Sequence, residues 1–181
     1  MSFLYFAYGS NLLKQRIHIN NPSAIRVGIG KLENFRLDFL TYSTRWKGAS
    51  ATVVPTPGSV VWGAIWQLNK EHIETLDQQE GVHDKIYFPL NVDIEMLDGS
   101  KTLCRVYQQC ATPSHVSCMP DLPMDQRPSA VYLRTILLGA KESKLPEEYR
   151  KFLETIPHNG YDGDVNIVNS QIPNNQYQLV E

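Results

Sequence analysis

Two short stretches of the chain combine residue types that can do chemistry. The first is Tyr8-Gly9-Ser10-Asn11-Leu12, where a glycine follows the apolar run Phe3 to Tyr8 and polar residues open the next segment. A glycine there lets the backbone bend without a Cβ clash, and the first amides of a following helix have no partner inside it. Such a turn stabilises a carboxylate or a phosphate. The same residues also read as a plain capped strand-to-helix turn, because they lack the G-x-G-x-x-G, Walker and G-x-S-x-G patterns. The second stretch is Leu76-Asp77-Gln78-Gln79-Glu80-Gly81-Val82. Glu80 stands beside an apolar stripe, where desolvation raises a carboxyl pKa toward neutrality, and a carboxyl so poised both takes and returns a proton. A solvated helix-end glutamate is the bland alternative; Asp77 is a rival carboxyl for the role, although it and Glu74 read first as the wet face of the same helix.

Other candidates carry less. His18, His72, His83, His115 and His158 lie in separate segments without metal-ligand spacing, and Cys104, Cys110 and Cys118 include no C-x-x-C pair. No metal site, disulfide framework or thiol dyad is expected from them. Tyr87, Tyr107 and Tyr132 read first as aromatic core. The 17 Lys and Arg against 19 Asp and Glu leave a formal charge of −2 and no basic field, which argues against a nucleic acid or anionic membrane as partner. The start of the chain lacks a basic region and a cleavage site, and no apolar run has the roughly 18 residues of a membrane span. A reduced, cytoplasmic protein is expected.

The elements that must position these residues are legible in outline. Phe3 to Tyr8 reads as a buried strand; Leu12, Leu13, Arg16 and Ile17 recur at helical spacing behind Ser10 and Asn11, both good N-caps. Strands are expected at 24–32, 35–41, 51–54 and 60–68, with a polar loop over 42–50 and a turn at Pro55, Pro57 and Gly58. Asn69 caps a short helix that Gly81 ends. The alternating segments 86–96 and 102–108 flank Asp98-Gly99 as a hairpin. An irregular Pro-rich stretch, 111–127, precedes helices expected at 129–138, closed by Gly139, and 146–156. The fold class is mixed α/β (α+β), a small, mostly antiparallel barrel or curved sheet with helices packed outside. Residues 1–165 are expected to form one domain and 166–181 a polar tail.

Phe3-Leu4-Tyr5-Phe6-Ala7-Tyr8-Gly9-Ser10-Asn11-Leu12, Glu80-Gly81-Val82, Gly139-Ala140-Lys141-Glu142 with Leu145-Pro146 and Tyr149, and Asn159-x-Tyr161-x-Gly163 follow one another in this order. Together they resemble the gamma-glutamylcyclotransferase family from Phe3 to about Val165. The resemblance implies a closed or nearly closed barrel and a cofactor-free enzyme of lyase or acyltransferase type. Its reaction is intramolecular: the α-amine of a γ-glutamyl amino acid attacks its own γ-carbonyl, releasing 5-oxoproline and a free amino acid. By the same resemblance Glu80 is the acid/base, the turn Tyr8 to Leu12 holds the carboxylate or the oxyanion, and Tyr87, Tyr107 and Tyr132 line the pocket. A small γ-glutamyl amino acid is the implied partner, in a cytoplasmic homodimer serving glutathione metabolism. Asn11 sets the chain apart from the related glutathione-specific and γ-glutamylamine enzymes, which usually read YGSL or YGTL. A γ-glutamylamine cyclotransferase, or a non-catalytic module binding a small carboxylate or a protein, is the alternative. The segments 41–50 and 113–128 depart from the family pattern, which leaves the leaving amino acid open.

Register bears on the tyrosines. A two-residue turn pairing 97 with 100 would send Tyr87 and Tyr107 to opposite faces, whereas a three-residue loop pairing 96 with 100 puts them on one face. The bulged, three-residue form is expected.

Overall fold

The opening apolar run becomes β1 (Ser2–Ala7), and its last three residues are all buried. Successive strand residues point to opposite faces, so β1 is covered on both sides, which its continuous hydrophobicity anticipated. The computed structural model, which describes residues 1–114, 119–167 and 170–171, continues with α1 (Lys14–His18), β2 (Ile25–Ser43), β3 (Gly48–Asn69) and α2 (Ile73–Gln79). Then come β4 (Tyr87–Met96), β5 (Lys101–Gln109), α3 (Ala130–Glu142) and α4 (Glu147–Glu154), with a two-residue pairing of β6 (Asn166–Ile167) and β7 (Ser170–Gln171) beyond.

The first five strands close into a barrel in the order β1-β3-β2-β4-β5. Every neighbouring pair is antiparallel except β1 with β5, whose parallel contact at Tyr5 and Arg105 seals the cylinder. That arrangement decides where chemistry can gather. The C-terminal ends of β1, β2 and β5 and the N-terminal ends of β3 and β4 all fall on one rim. Tyr8, Ala51, Tyr87 and Tyr107 therefore meet there although they are far apart in the chain. The core is continuous, running from Phe6, Phe39, Ile65 and Trp66 in the barrel to Ile136 and Leu153 in the outer helices.

Several local expectations change in the fold. The strands expected at 24–32 and 35–41 are one strand, β2, and those at 51–54 and 60–68 are one strand, β3. The loop over 42–50 shrinks to the turn 44–47. Pro55 to Gly58 does not end a strand; Phe35 pairs with Pro55 and Glu33 with Val60, so residues 56–59 bulge out opposite Asn34 and the ladder then resumes. The hairpin holds as expected: Met96 and Ser100 are joined by a 2.8 Å hydrogen bond, and Gly99 is left-handed at φ 81°. Tyr87 pairs with Gln109 and Tyr107 with Pro89, which places both tyrosines on one face. Within 111–127 there are short 3-10 turns at Met119–Asp121 and Met124–Gln126, while His115 and Cys118 lie outside the described residues.

Gly139 does not close α3, which continues to Glu142. A Cβ at position 139 would stand 2.5 Å from the Leu12 Cβ and 2.5 Å from the Leu13 amide nitrogen. The glycine is there so that α3 can lie directly on the turn after β1. From the same helix Glu142 accepts from the Lys14 amide at 2.9 Å and from Arg26, tying α1 to α3. Asn159 plays a comparable part on the other side: its amide donates to the Lys47 carbonyl at 2.9 Å and holds the turn between β2 and β3.

Candidate active site

Glu80 is the C-cap of α2. Val82 donates to the Asp77 carbonyl at 3.0 Å and Gly81 to the Gln78 carbonyl at 3.1 Å, a Schellman closure with Gly81 at φ 65°. This ending turns the Glu80 side chain toward the barrel rim. It borders a recess of about 40 Å3 lined by Tyr5, Tyr8, Gly9, Ser10, Asn11, Ala51, Tyr87, Tyr107 and Tyr132. It also borders an adjoining chamber of about 420 Å3 that includes Arg16, Arg45, Trp46, Gln79 and Asp84. Ser10, Tyr87 and Tyr132 are likewise common to both, so Glu80 sits where recess and chamber meet.

Burial raises the Glu80 carboxyl from the ordinary carboxylate range to about 7. Arg16 and Arg45 pull it back down, and Asp77 pushes it further up. Among the described residues no hydrogen bond engages this carboxyl. It is a proton carrier near neutrality with both oxygens available.

The turn after β1 differs from the capped helix expected. Ser10 to Leu12 form a 3-10 turn, α1 starts at Lys14, and neither the Ser10 nor the Asn11 side chain caps it. The Leu12 amide is engaged by the Gly9 carbonyl at 3.1 Å, and the Leu13 amide by that of Ser10 at 3.2 Å. Among the described residues no hydrogen bond uses the amides of Gly9, Ser10 and Asn11. These three border the recess. Leu12 does not: its side chain is wholly buried in the core and its carbonyl accepts from Ser143 Oγ at 3.1 Å. Asn11 is buried, donating to the Tyr5 hydroxyl at 3.1 Å and accepting from Gln79 at 3.3 Å, so it braces the turn against the helix that carries Glu80.

The tyrosines divide by what their hydroxyl protons do. Tyr8 donates to the Tyr107 carbonyl and Tyr87 to the Ala51 carbonyl, each at 2.5 Å. Tyr107 donates to Asp77 at 2.5 Å and accepts from Arg105 at 3.0 Å. These three protons are engaged, and the rings serve as walls. Tyr132 instead accepts from the Ala51 amide at 3.1 Å, and Tyr5 accepts from Asn11, so both keep a proton for whatever fills the recess. Burial pushes all five phenols up, which keeps them protonated at neutral pH.

Asp77 corrects the wet-face expectation. Arg105 grips its carboxylate with bonds of 2.7 and 2.8 Å, and the pair fastens Tyr107 in place, whereas Glu74 does stay exposed beside His83. Residues that the sequence reading passed over also shape the site. Gln109 donates to Tyr87 at 3.1 Å and to the Ser50 carbonyl at 2.9 Å, tying β5 to the start of β3. Arg16, counted among the apolar repeat of α1, is buried at the chamber wall. Among the described residues no group of three or more His, Cys, Asp or Glu is placed to hold a metal.

The AIG2-like family profile matches residues 60–153. Gamma-glutamylcyclotransferase of Bos taurus is 42% identical over 168 residues, covering 91% of this chain and 84% of its own length. The chain belongs to the gamma-glutamylcyclotransferase family. The human relative of that name is 40% identical over the same shares. A solved gamma-glutamyl cyclotransferase superimposes with a TM-score of 0.82 at 39% identity, over 92% of this chain and 94% of the other. A yeast gamma-glutamyl cyclotransferase specific to glutathione shares the fold, with a TM-score of 0.60 at 14% identity over 86% and 95%. For this family member the barrel rim gathers seven of the eight substrate-site residues expected from sequence around Glu80, and leaves out Leu12.

Proposed function

We propose that the chain is a gamma-glutamylcyclotransferase that converts γ-glutamyl dipeptides into 5-oxoproline and a free amino acid, with Glu80 as acid and base. The observation that carries the reading is the Glu80 carboxyl, unbonded and raised to about 7, at the junction of a donor-rich recess and a larger chamber. The substrate brings its own nucleophile, so the protein must curl the glutamyl chain, move protons and bear charge.

Holding the α-amine against the γ-carbonyl is the largest contribution, worth about 7 to 11 kcal/mol in well-oriented intramolecular reactions. The Gly9, Ser10 and Asn11 amides and the Tyr132 hydroxyl supply donors for the glutamyl carboxylate or the oxyanion. Ring closure forms a bond from the α-nitrogen to the γ-carbonyl carbon and breaks the bond from that carbon to the departing nitrogen. An ammonium loses two protons in becoming the ring amide, and the departing amide nitrogen gains two. Glu80, close in pKa to an α-ammonium of about 8, relays them from one nitrogen to the other. No metal or cofactor is needed for this sequence. A cytoplasmic, homodimeric enzyme belongs to the same reading, and its support is the family resemblance.

The test is mass-spectrometric detection of 5-oxoproline from γ-glutamyl amino acids, glutathione and γ-glutamyl-ε-lysine. Product from the dipeptides is expected with wild type and not with Glu80→Gln. Near-full activity of that variant overturns the mechanism.

A further inference from the structure

Arg16 is 2% exposed, and its Nε and Nη1 atoms find no hydrogen-bond acceptor. A buried guanidinium left unpaired is costly, and in most proteins it is matched by a carboxylate or by carbonyls. Here its neighbours are the Trp46 ring, with the guanidinium carbon 5.7 Å from the ring centre, and the chamber it lines. A second guanidinium, Arg45, lines the same chamber from the turn between β2 and β3. Among the described residues no ion pair or hydrogen bond engages Arg45. That turn is held in place: Asn159 grips Lys47, Ser43 Oγ accepts from the Trp46 amide at 3.1 Å, and the Trp46 ring packs 4.8 Å from that of Tyr132. The acidic residues of the chamber are Glu80, only partly ionised at neutral pH, and Asp84, exposed at the rim. Two cations thus face a cavity with less than two compensating charges. Burial, with the Arg45 charge as a second cause, lowers the Arg16 pKa to about 10.

We propose that the chamber is a subsite for the α-carboxylate of the departing amino acid, held by Arg16 and Arg45. The inference rests on the cyclotransferase reading and adds the residues that recognise the leaving amino acid. Glu80 must reach the departing nitrogen, so that nitrogen lies at the junction of recess and chamber. With the glutamyl unit on the recess side, the rest of the dipeptide extends into the chamber. Its carboxyl carbon is about 2.5 Å from the nitrogen by covalent geometry alone, which brings the carboxylate beside the arginines that flank Glu80. Guanidinium groups bind carboxylates in a fixed fork, so this arrangement selects an amino acid over a simple amine as leaving group.

The test compares γ-glutamyl-L-alanine with γ-glutamyl ethylamide, whose leaving group lacks only that carboxylate, in wild type, Arg45→Gln and Arg16→Gln. Wild type is expected to favour the dipeptide in kcat/KM. Each substitution is expected to lower the ratio of kcat/KM for the dipeptide to that for the ethylamide about 10- to 100-fold, because any effect through Glu80 falls on both compounds alike. Equal losses on both compounds overturn the proposal, since the arginines then serve Glu80 or the fold, and so does a wild type that does not distinguish the two. Should Arg16→Gln fail to fold, Arg45→Gln, on the half-buried turn, decides alone. If neither compound yields 5-oxoproline, the cyclotransferase reading fails separately. Titration calorimetry of the same two compounds with wild type and Arg45→Gln then decides the subsite, by whether tighter binding of the dipeptide disappears in the variant.

Discussion

Asp77 and Glu80 stand three positions apart, the first inside α2 and the second at its end, and the protein uses them in opposite ways. Asp77 is gripped by both ends of its carboxylate, by Arg105 and by the Tyr107 hydroxyl, so it is a clamp. Glu80 is half-buried without a hydrogen bond, and desolvation outweighs the nearby Arg16 and Arg45 charges and lifts it to about 7. Burial alone therefore does not make a carboxyl reactive. What separates the two is whether burial is compensated. A compensated carboxylate stabilises the rim, whereas an uncompensated one is destabilised in its charged form and ready to exchange a proton.

The deepest test of that contrast is Glu80→Gln, which keeps shape and removes the proton carrier. Turnover is expected to fall about 10²- to 10⁴-fold, the usual contribution of acid–base catalysis, with the circular dichroism spectrum unchanged. In wild type, kcat/KM for a dipeptide is expected to rise with pH through an acid limb near 7, the value set by Glu80.

Stability should show the same group with the opposite sign from an ordinary paired carboxylate. Between the usual 4.5 and about 7 the native state holds a proton that the unfolded chain has released. The stability linked to it is present below 4.5 and lost as pH rises through 7, by at most about 3 kcal/mol. Urea unfolding at pH 5 and pH 8 is expected to show this loss in wild type and not in Glu80→Gln, which makes the variant the more stable protein at pH 8. A wild type whose stability climbs with pH in that interval would contradict the uncompensated state of Glu80.

Asp77→Asn attacks the other arm. It leaves Arg105, whose side chain is 17% exposed, facing a neutral amide, so a loss of about 1–3 kcal/mol is expected, read as a lower Tm. Turnover is expected to fall less than about tenfold, through a loosened Tyr107; a loss as deep as that of Glu80→Gln would erase the distinction between clamp and proton carrier. The smallest effect is expected for Gly81→Ala. A side chain there meets the left-handed backbone and places a Cβ 2.9 Å from Ile86 Cδ1, costing roughly 1–2 kcal/mol and shifting Glu80 enough for a modest drop in kcat.

Several features were legible in the residues because their causes are local. Gly81 ends α2 because the Schellman closure needs a left-handed residue at that place. The loop at Asp98-Gly99 sets the pairing of Met96 with Ser100, and the strict alternation of strand side chains carries that register to Tyr87 and Tyr107. The recurrence of the YGSN, EGV, GAKE and NxYxG segments identified the family, which brought the closed barrel with it.

Tertiary structure alone decided the rest. Pro55 to Gly58 states a local bend and does not say whether the ladder resumes beyond it, as it does against Glu33. Gly139 reads as a helix stop, but its reason is Leu12, more than a hundred residues earlier in the chain. Asp77 and Arg16 read as a solvated acid and as one member of an apolar repeat. The first is neutralised by Arg105 on a distant strand, and the second is left unpaired because the groups packed around it offer no acceptor. Sequence by itself determined which backbone shapes and registers are allowed and which residue types are available. Whether a buried charge is compensated depends on partners brought in by barrel closure, and that decided which carboxyl became a clamp and which the proton carrier.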